Sequence, residues 1–394
     1  MTGIQSLKLS VGDLEDIRAA MAERIREGLS SGEGEIAALP TFLSPPRPEA
    51  AGAALAIDIG GTNIRAAVVE ISPGGAVRLT RDPAVRPLEL EWESAGAFFD
   101  RQAELALSLD PPEGLPVGYC FSYPSKALPG GDAVHLQWNK ELRVPGVIGK
   151  KVGELLLRAL AGKGYDSPRV RVLNDTVAAL LGGDLAYRRK GEFATFIGLI
   201  VGTGTNLAAY FGAGRLGVRI PIELRGMGLM AVNLESGNFH PPGLSRFDDE
   251  LDAGREDAGL QRLEKAVSGR FLPQLFTYIR DGRTSPPYPD TREIFELAEE
   301  SRSADGEIAR RIVDRSADLV AAGLAGLIDT LETVGKIGIL AEGGVINKNP
   351  GYRERVRNRL AELLDDDPAR PARFRFLQLE NVNLFGAAAA AGQL

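Results

Sequence analysis

Apolar positions along the chain change their spacing several times, and each change predicts an element. Val11, Leu14, Ile17, Met21, Ile25 and Leu29 recur at helical intervals with charges of both signs between them, so the chain is expected to open on an amphipathic helix. Ser10, with Asp13 three residues on, suits its start, and Gly32 and Gly34 suit its end. The interleaved charges are unlike a secretory leader. Pro45, Pro46 and Pro48 mark the first boundary.

From Ala53 the pattern becomes strand, turn, strand: Ala54–Ile59, the turn Gly60-Gly61-Thr62-Asn63, then Ile64–Ile71. Short apolar runs continue to Val170–Leu173, and Asn174-Asp175-Thr176 opens a helix predicted to reach about Tyr187. A second hairpin follows: Ala194–Val201, Gly202-Thr203-Gly204-Thr205-Asn206, and Leu207–Phe211. The stretch Phe193–Gly214 carries no charge, yet its Gly-Thr pairs and β-branched residues favour a buried hairpin over a membrane span. The rest predicts helices at Gln261–Arg280, Thr291–Glu300, Ile308–Leu331, Pro350–Leu364 and Leu384–Ala391. Strands are expected at Lys336–Leu340, running into Glu342-Gly343-Gly344, and at Arg373–Leu379. Each half thus contains a strand, a Gly-Thr-Asn turn and a returning strand, as duplicated β-domains facing one cleft would.

Composition narrows the chemistry. The 394 residues carry 46 Lys+Arg against 53 Asp+Glu, a net charge of −7. Neither nucleic acid nor a membrane is therefore expected as a partner, and any phosphate must be held locally by backbone N–H groups and a metal. The single Cys120 allows no internal disulfide and suits a reducing cytoplasm. His135 and His240 alone provide no zinc set, and no Gly-x-Ser-x-Gly elbow is present. The P-loop, the Rossmann Gly-x-Gly-x-x-Gly and the protein-kinase motifs are also missing.

Two turns and one helix start could carry chemistry. Gly60-Gly61-Thr62-Asn63 can approach a ligand closely, and its N–H groups and the Thr62 hydroxyl could cradle phosphate oxygens, with Arg65 nearby. Asp58 could hold Mg²⁺ through water. An ordinary hairpin with a surface Asp accounts for the same residues. Gly202-Thr203-Gly204-Thr205-Asn206 poses the same choice between a tight turn and a phosphate loop. Asn174-Asp175-Thr176 reads either as a helix N-cap or as a carboxylate able to take a proton from a hydroxyl, and the two are compatible. Glu235 reads by itself as a loop acid.

Taken together and in order, these segments resemble the hexokinase family of the actin-like sugar-kinase and ATPase superfamily. Leu39-Pro40-Thr41-Phe42 is similar to its Leu-Pro-Thr-Tyr/Phe, and Asp58 to Arg65 to its Asp-Leu-Gly-Gly-Thr-Asn-Phe-Arg. Phe121-Ser122-Tyr123-Pro124 and Trp138-Asn139-Lys140 resemble Phe-Ser-Phe-Pro and Trp-Thr-Lys. Asn174-Asp175-Thr176-Val177, Ile197–Asn206 and Leu263-Glu264-Lys265-Ala266-Val267-Ser268-Gly269 continue the series. Glu342-Gly343-Gly344-Val345 stands where Asp-Gly-Thr-Leu lies near the nucleotide.

The resemblance implies an α/β actin-like ATPase (ribonuclease H-like) fold: two lobes of mixed sheets flanked by helices, with a sugar and ATP cleft between them. It implies a small domain of 53–173 and 380–394, and a large one of 1–52 and 174–379. It makes Asp175 the base for the 6-hydroxyl of glucose or a related hexose, and gives Lys140 the task of neutralising the transferred phosphoryl group. Ser122, Asn139, Asn174, Asn206, Glu235 and Gln274 would bind the sugar. Asp58 with Mg²⁺, Gly60, Gly61, Thr62, Asn63, Arg65, Gly202, Thr203, Gly204, Thr205, Gly343 and Gly344 would position ATP. Four departures shade this picture: Asn139 for Thr, Ser236 for Trp, Gln274 for Glu, and Glu380-Asn381-Val382-Asn383 for Asp-Gly-Ser. They motivate the alternative of a sugar-binding regulator that has lost its activity.

Overall fold

In the computed structural model, residues 4–47, 51–138, 142–300, 302–365 and 373–393 are described. Asn139 and Lys140 lie outside them. The opening helix, α1 (Val11–Ser31), is capped by a reciprocal Ser10–Asp13 box and ends at Gly32 in the left-handed region. β1 (Leu39–Pro40) follows, then the hairpin of β2 (Gly52–Ile59) and β3 (Asn63–Ile71). β4 (Val77–Leu79), β5 (Ala84–Pro87), α2 (Ala95–Leu107) and β6 (Val117–Phe121) come next. The small hairpin β7 (Ser125–Ala127) and β8 (Ala133–His135), α3 (Val152–Gly162) and β9 (Val170–Leu173) complete the first half.

The second half begins with α4 (Asp175–Tyr187), β10 (Thr195–Val201), β11 (Thr205–Gly212) and β12 (Leu229–Asn233). A helical block follows: α5 (Arg246–Ala253), α6 (Arg262–Val267), α7 (Leu272–Asp281), α8 (Thr291–Glu300) and α9 (Ala304–Ile328). The chain then closes through β13 (Ile337–Glu342), α10 (Gly344–Lys348), α11 (Pro350–Leu363), β14 (Phe374–Leu377) and α12 (Val382–Ala391). Among the described residues, no helix is long and apolar enough to cross a membrane.

The echo between the halves is topological. In one sheet β2 pairs antiparallel with β3 and parallel with β6, and β6 pairs parallel with β9. In the other, β10 pairs antiparallel with β11 and parallel with β13, and β13 pairs parallel with β14. Each series is followed by a helix, α4 after β9 and α12 after β14, and these two helices pack on each other. Both are buried nearly all round, which is why their sequences show little amphipathic contrast.

Their approach depends on residues without side chains. A Cβ on Gly386 of α12 would lie 1.9 Å from the Ala178 carbonyl oxygen of α4, and one on Gly182 would lie 2.3 Å from the Val382 oxygen. Gly386→Ala should therefore push the helices apart and lower stability by about 1–3 kcal/mol, the usual range for overpacking. A denaturant midpoint unchanged from the native chain would refute that contact.

One predicted helix divides. Gln261–Arg280 is interrupted at Ser268–Phe271, giving α6 and α7. The break is held by Gly269, whose N–H donates to the Gly202 carbonyl at 2.8 Å and whose own carbonyl accepts from Thr291 Oγ1 at 2.7 Å. Tertiary hydrogen bonds override helical periodicity there.

Candidate active site

Ends of strands from both sheets meet at a cleft of about 290 Å³. Its lining includes Gly61, Ser122, Asn174, Asp175, the loop Gly202–Asn206, Glu235, Gln261, Glu264, the Glu342–Gly344 turn and Asn383. A smaller cavity of about 40 Å³ adjoins it and shares Tyr123, Asn174 and Glu235, with Leu39–Thr41 along its other wall. Most of the residues expected from sequence are thus brought to one place.

The first turn is tight: Gly60 N–H donates to the Asn63 carbonyl at 3.1 Å, and Ile59 pairs with Ile64. Neither Gly60 nor Gly61 has positive φ, so the turn is not a left-handed one, and a Cβ on Gly60 would meet only the Asn63 carbonyl oxygen, at 4.0 Å. Thr62 and Asn63 are exposed, and Asn63 Nδ2 donates to Thr62 Oγ1 at 3.1 Å. Below the tip Asp58 is buried opposite Arg65, whose Nε donates to Asp58 Oδ2 at 3.0 Å. Asp58 Oδ1 is buried with no hydrogen-bond partner among the described residues, and Cys120 stands beside Asp58 on the paired strand. A buried carboxylate oxygen left open suits a hydrated Mg²⁺, which would supply charge neutralisation at the phosphates.

Asn174 is the N-cap of α4, accepting from Thr176 N–H at 2.9 Å, and Asp175 is its first helical residue. Asp175 Oδ1 also accepts from Thr176 N–H at 2.8 Å. Capping and a place in the cleft therefore coexist, and the helix N-terminus favours a negative charge at Asp175.

In the second turn Gly202 N–H donates to the Gly204 carbonyl at 2.9 Å, and Thr205 Oγ1 donates to the Ile200 carbonyl at 2.9 Å. Gly343, at φ 107°, has no room for a side chain: its Cβ would lie 2.4 Å from the Val201 carbonyl oxygen. The Gly202 loop and the Gly343-Gly344 turn therefore pack backbone to backbone. Asn206 Nδ2 donates to Asn233 Oδ1 at 2.7 Å, and Asn233 Nδ2 donates to Glu235 Oε1 at 2.6 Å. Ser236, where a Trp was expected, is buried and its N–H donates to Asn206 Oδ1 at 3.1 Å. Glu235 itself takes φ 55°, which turns the chain back toward the cleft.

Gln274 is the correction. It does not line the cleft; its Oε1 accepts from Arg255 Nη1 at 3.0 Å and its Nε2 donates to the Arg270 carbonyl at 3.1 Å. The acid of this segment that does line the cleft is Glu264, whose Oε2 accepts from Thr205 N–H at 3.0 Å. Asn383 and Glu342 also line it, although sequence reading assigned neither a role. Glu264 and Glu342 both stood inside segments that carried the resemblance, so the signal was there to use.

Glu342, at the end of β13, has its carboxyl raised to about 7 by burial, with Arg65 opposing and the charges of Asp58 and Asp175 adding. The folded state therefore keeps a proton that the unfolded chain, near 4.5, releases. Stability should fall as pH rises from 4.5 to 7 and level off above, by at most about 3 kcal/mol before solvent screening. Glu342→Gln should flatten that slope in denaturation at a series of pH values; an unaltered slope would contradict it. His135 behaves oppositely: burial lowers it to about 4, and it stays neutral in a ring cluster with Trp138 and Phe121.

Fold and cleft together define a two-lobed protein of the actin-like fold, with one cleft where strand ends of both sheets meet. Hexokinase family profiles match residues 2–185 and then 196–280 with 287–393, and the chain belongs to the hexokinase family. Human Hexokinase-3 is 30% identical over 284 residues, covering 69% of this chain and 30% of that protein. Human Hexokinase-2 is 28% identical over 444 residues, covering 97% of this chain and 46% of that one. The chain thus spans less than half the length of these curated relatives. Among solved structures, a hexokinase from Schistosoma mansoni complexed with glucose superposes with a TM-score of 0.81 at 24% identity, covering 99% of this chain and 97% of that one.

Proposed function

We propose that the chain is an ATP-dependent hexokinase that phosphorylates the 6-hydroxyl of glucose or a close relative. The observation that carries this reading is a single cleft in which Asp175 shares walls with the Gly202–Thr205 loop and the Gly343-Gly344 turn. Asp175 takes the hydroxyl proton as the sugar oxygen bonds to the γ-phosphorus of ATP; the bond from that phosphorus to the bridging oxygen breaks, and ADP leaves. Ser122, Asn174, Asn206, Glu235 and Glu264 orient the sugar; by their family motif Asn139 joins them, and Lys140 both contacts the sugar and neutralises the transferred phosphoryl group. Gly61, Thr62, Asn63, Thr203, Thr205 and the paired backbone turns hold the phosphates, with Arg65 offsetting charge. Asp58 would hold Mg²⁺ through water. Because such transfer needs mainly alignment and charge stabilisation, a preformed cleft of opposed loops suits it.

The lobes divide, on this reading, into 53–173 with 380–394 and 1–52 with 174–379. Two placements support that division: α12 packs on β2 and β6, and β1 pairs with β12. The cytoplasm is the compartment proposed, consistent with a buried free thiol at Cys120.

The test is sugar-dependent ADP release by the purified protein across glucose, mannose, fructose and glucosamine. Glucose or a near relative should raise ADP release well above the sugar-free rate. Sugar binding without ADP release from any of the four would instead favour a regulator, a reading that the intact Asp58 and Asp175 disfavour.

A further inference from the structure

Helix α6 has six residues, far fewer than a helix needs to hold its own shape in water. Yet both ends of the loop 202–205 are tied to it. Glu264 Oε2 accepts from Thr205 N–H at 3.0 Å, and Gly269, two residues past its end, donates to the Gly202 carbonyl at 2.8 Å. The direction of this short helix decides where Glu264 and that loop sit.

What sets the direction lies on its other side. Arg262 and Lys265 both run into the carboxylate of Asp252, at the end of α5: Arg262 Nη1 reaches Oδ2 at 2.6 Å and Lys265 Nζ reaches Oδ1 at 2.6 Å. Gly259 N–H donates to Oδ2 at 2.7 Å. All three side chains are nearly or fully out of solvent, at 5%, 10% and 8% exposure for Arg262, Lys265 and Asp252. Burial raises the Asp252 carboxyl, but the bonds from Lys265, Gly259 and Arg262 prevail and bring it to about 2, so the clamp is charged at any working pH. Lys265 also donates to the Asp257 carbonyl at 2.7 Å, and Arg255 joins Asp257 at 2.7 Å to Gln274 at 3.0 Å. Gln274 therefore has a part, as the outer end of this network rather than in the cleft.

We infer that Asp252 is a positioning residue for the reaction: by gripping Arg262 and Lys265 together it fixes α6, and through Glu264 and Gly269 it fixes the sugar-facing acid and the phosphate loop. An apolar patch of the same area could bury α6 but would not set its rotation, whereas a carboxylate shared by two cations and a backbone amide does. The inference rests on Glu264 as a contact of the sugar.

The test uses Asp252→Asn and Lys265→Met, the latter keeping an apolar stem of similar length in case the first variant does not fold. Assayed well below each variant's unfolding temperature, both should raise the glucose KM by about 10-fold or more, in line with residues that orient ligating groups, while kcat stays within about 3-fold. The double variant should raise the KM by less than the product of the two single effects, because both cut the Lys265–Asp252 link, while Lys265→Met also removes the bond to Asp257. Variants that unfold earlier but keep the native glucose KM would overturn the inference. Glu264→Gln separates the two levels. If it raises the glucose KM and the clamp variants do not, only the positioning role falls; if it leaves the KM unchanged, the sugar-site reading falls with it.

Discussion

Asp175→Asn is expected to lower kcat by about 10²–10⁴, the range for a general base, while glucose affinity stays within a few-fold. The substitution is a clean one. Asparagine has the shape of aspartate, keeps an oxygen for the Thr176 N–H, and leaves Asn174 to cap α4. What it loses is the ability to accept the hydroxyl proton and the negative charge that the helix N-terminus favours. Single-turnover kinetics with calorimetric glucose binding separate the two effects. Turnover close to the native rate would remove Asp175 from the mechanism, whereas loss of binding in step with turnover would make it a sugar ligand only.

The second large effect is expected at Asp58. Its Oδ2 is engaged by Arg65, while its Oδ1 is buried and open. Asp58→Asn should lower activity by about 10–100-fold at fixed Mg²⁺, as for residues that orient a metal through water, and should shift the Mg²⁺ dependence to higher concentration. The glucose affinity should be unaffected, because Asp58 lies beneath the phosphate turn and does not line the cleft. If Mg²⁺ dependence does not move while activity falls, Asp58 acts only by holding Arg65. The same protein assayed for both sugar and metal dependence gives either answer.

How much of this was readable in the sequence differs by scale. The two hairpins announce themselves because Gly-Gly-Thr-Asn and Gly-Thr-Gly-Thr-Asn break otherwise apolar β-branched runs, and α4 because Asn174-Asp175-Thr176 is a strong start signal. Their bounds agree with the structure to within two residues. Pairing between distant strands is different: that β10 lies beside β13, across the whole helical block, has no local sign.

At the site, the loss comes from the same cause. Glu264 and Gln274 lie on neighbouring helices, but the break at Ser268–Phe271 rotates one relative to the other, and only Glu264 ends in the cleft. The resemblance that set Gln274 at the sugar carries no information about that break, and it is Glu264 that lines the cleft. Glu342 and Asn383 sit in segments that the resemblance sets near the nucleotide, and only the meeting of strand and helix ends shows that both line the cleft. The glycines of the first turn show the converse: their presence is legible in the sequence, but not that neither takes a positive φ.

Joint measurement of both products tests the proposed reaction. The native protein is incubated with glucose, ATP and Mg²⁺, and ADP and sugar phosphate are quantified together, with 6-deoxyglucose in a parallel reaction. The account predicts equal amounts of ADP and of glucose phosphorylated at the 6-position, and no sugar phosphate from 6-deoxyglucose. Phosphate on another hydroxyl, or ADP release indifferent to the sugar, would contradict it.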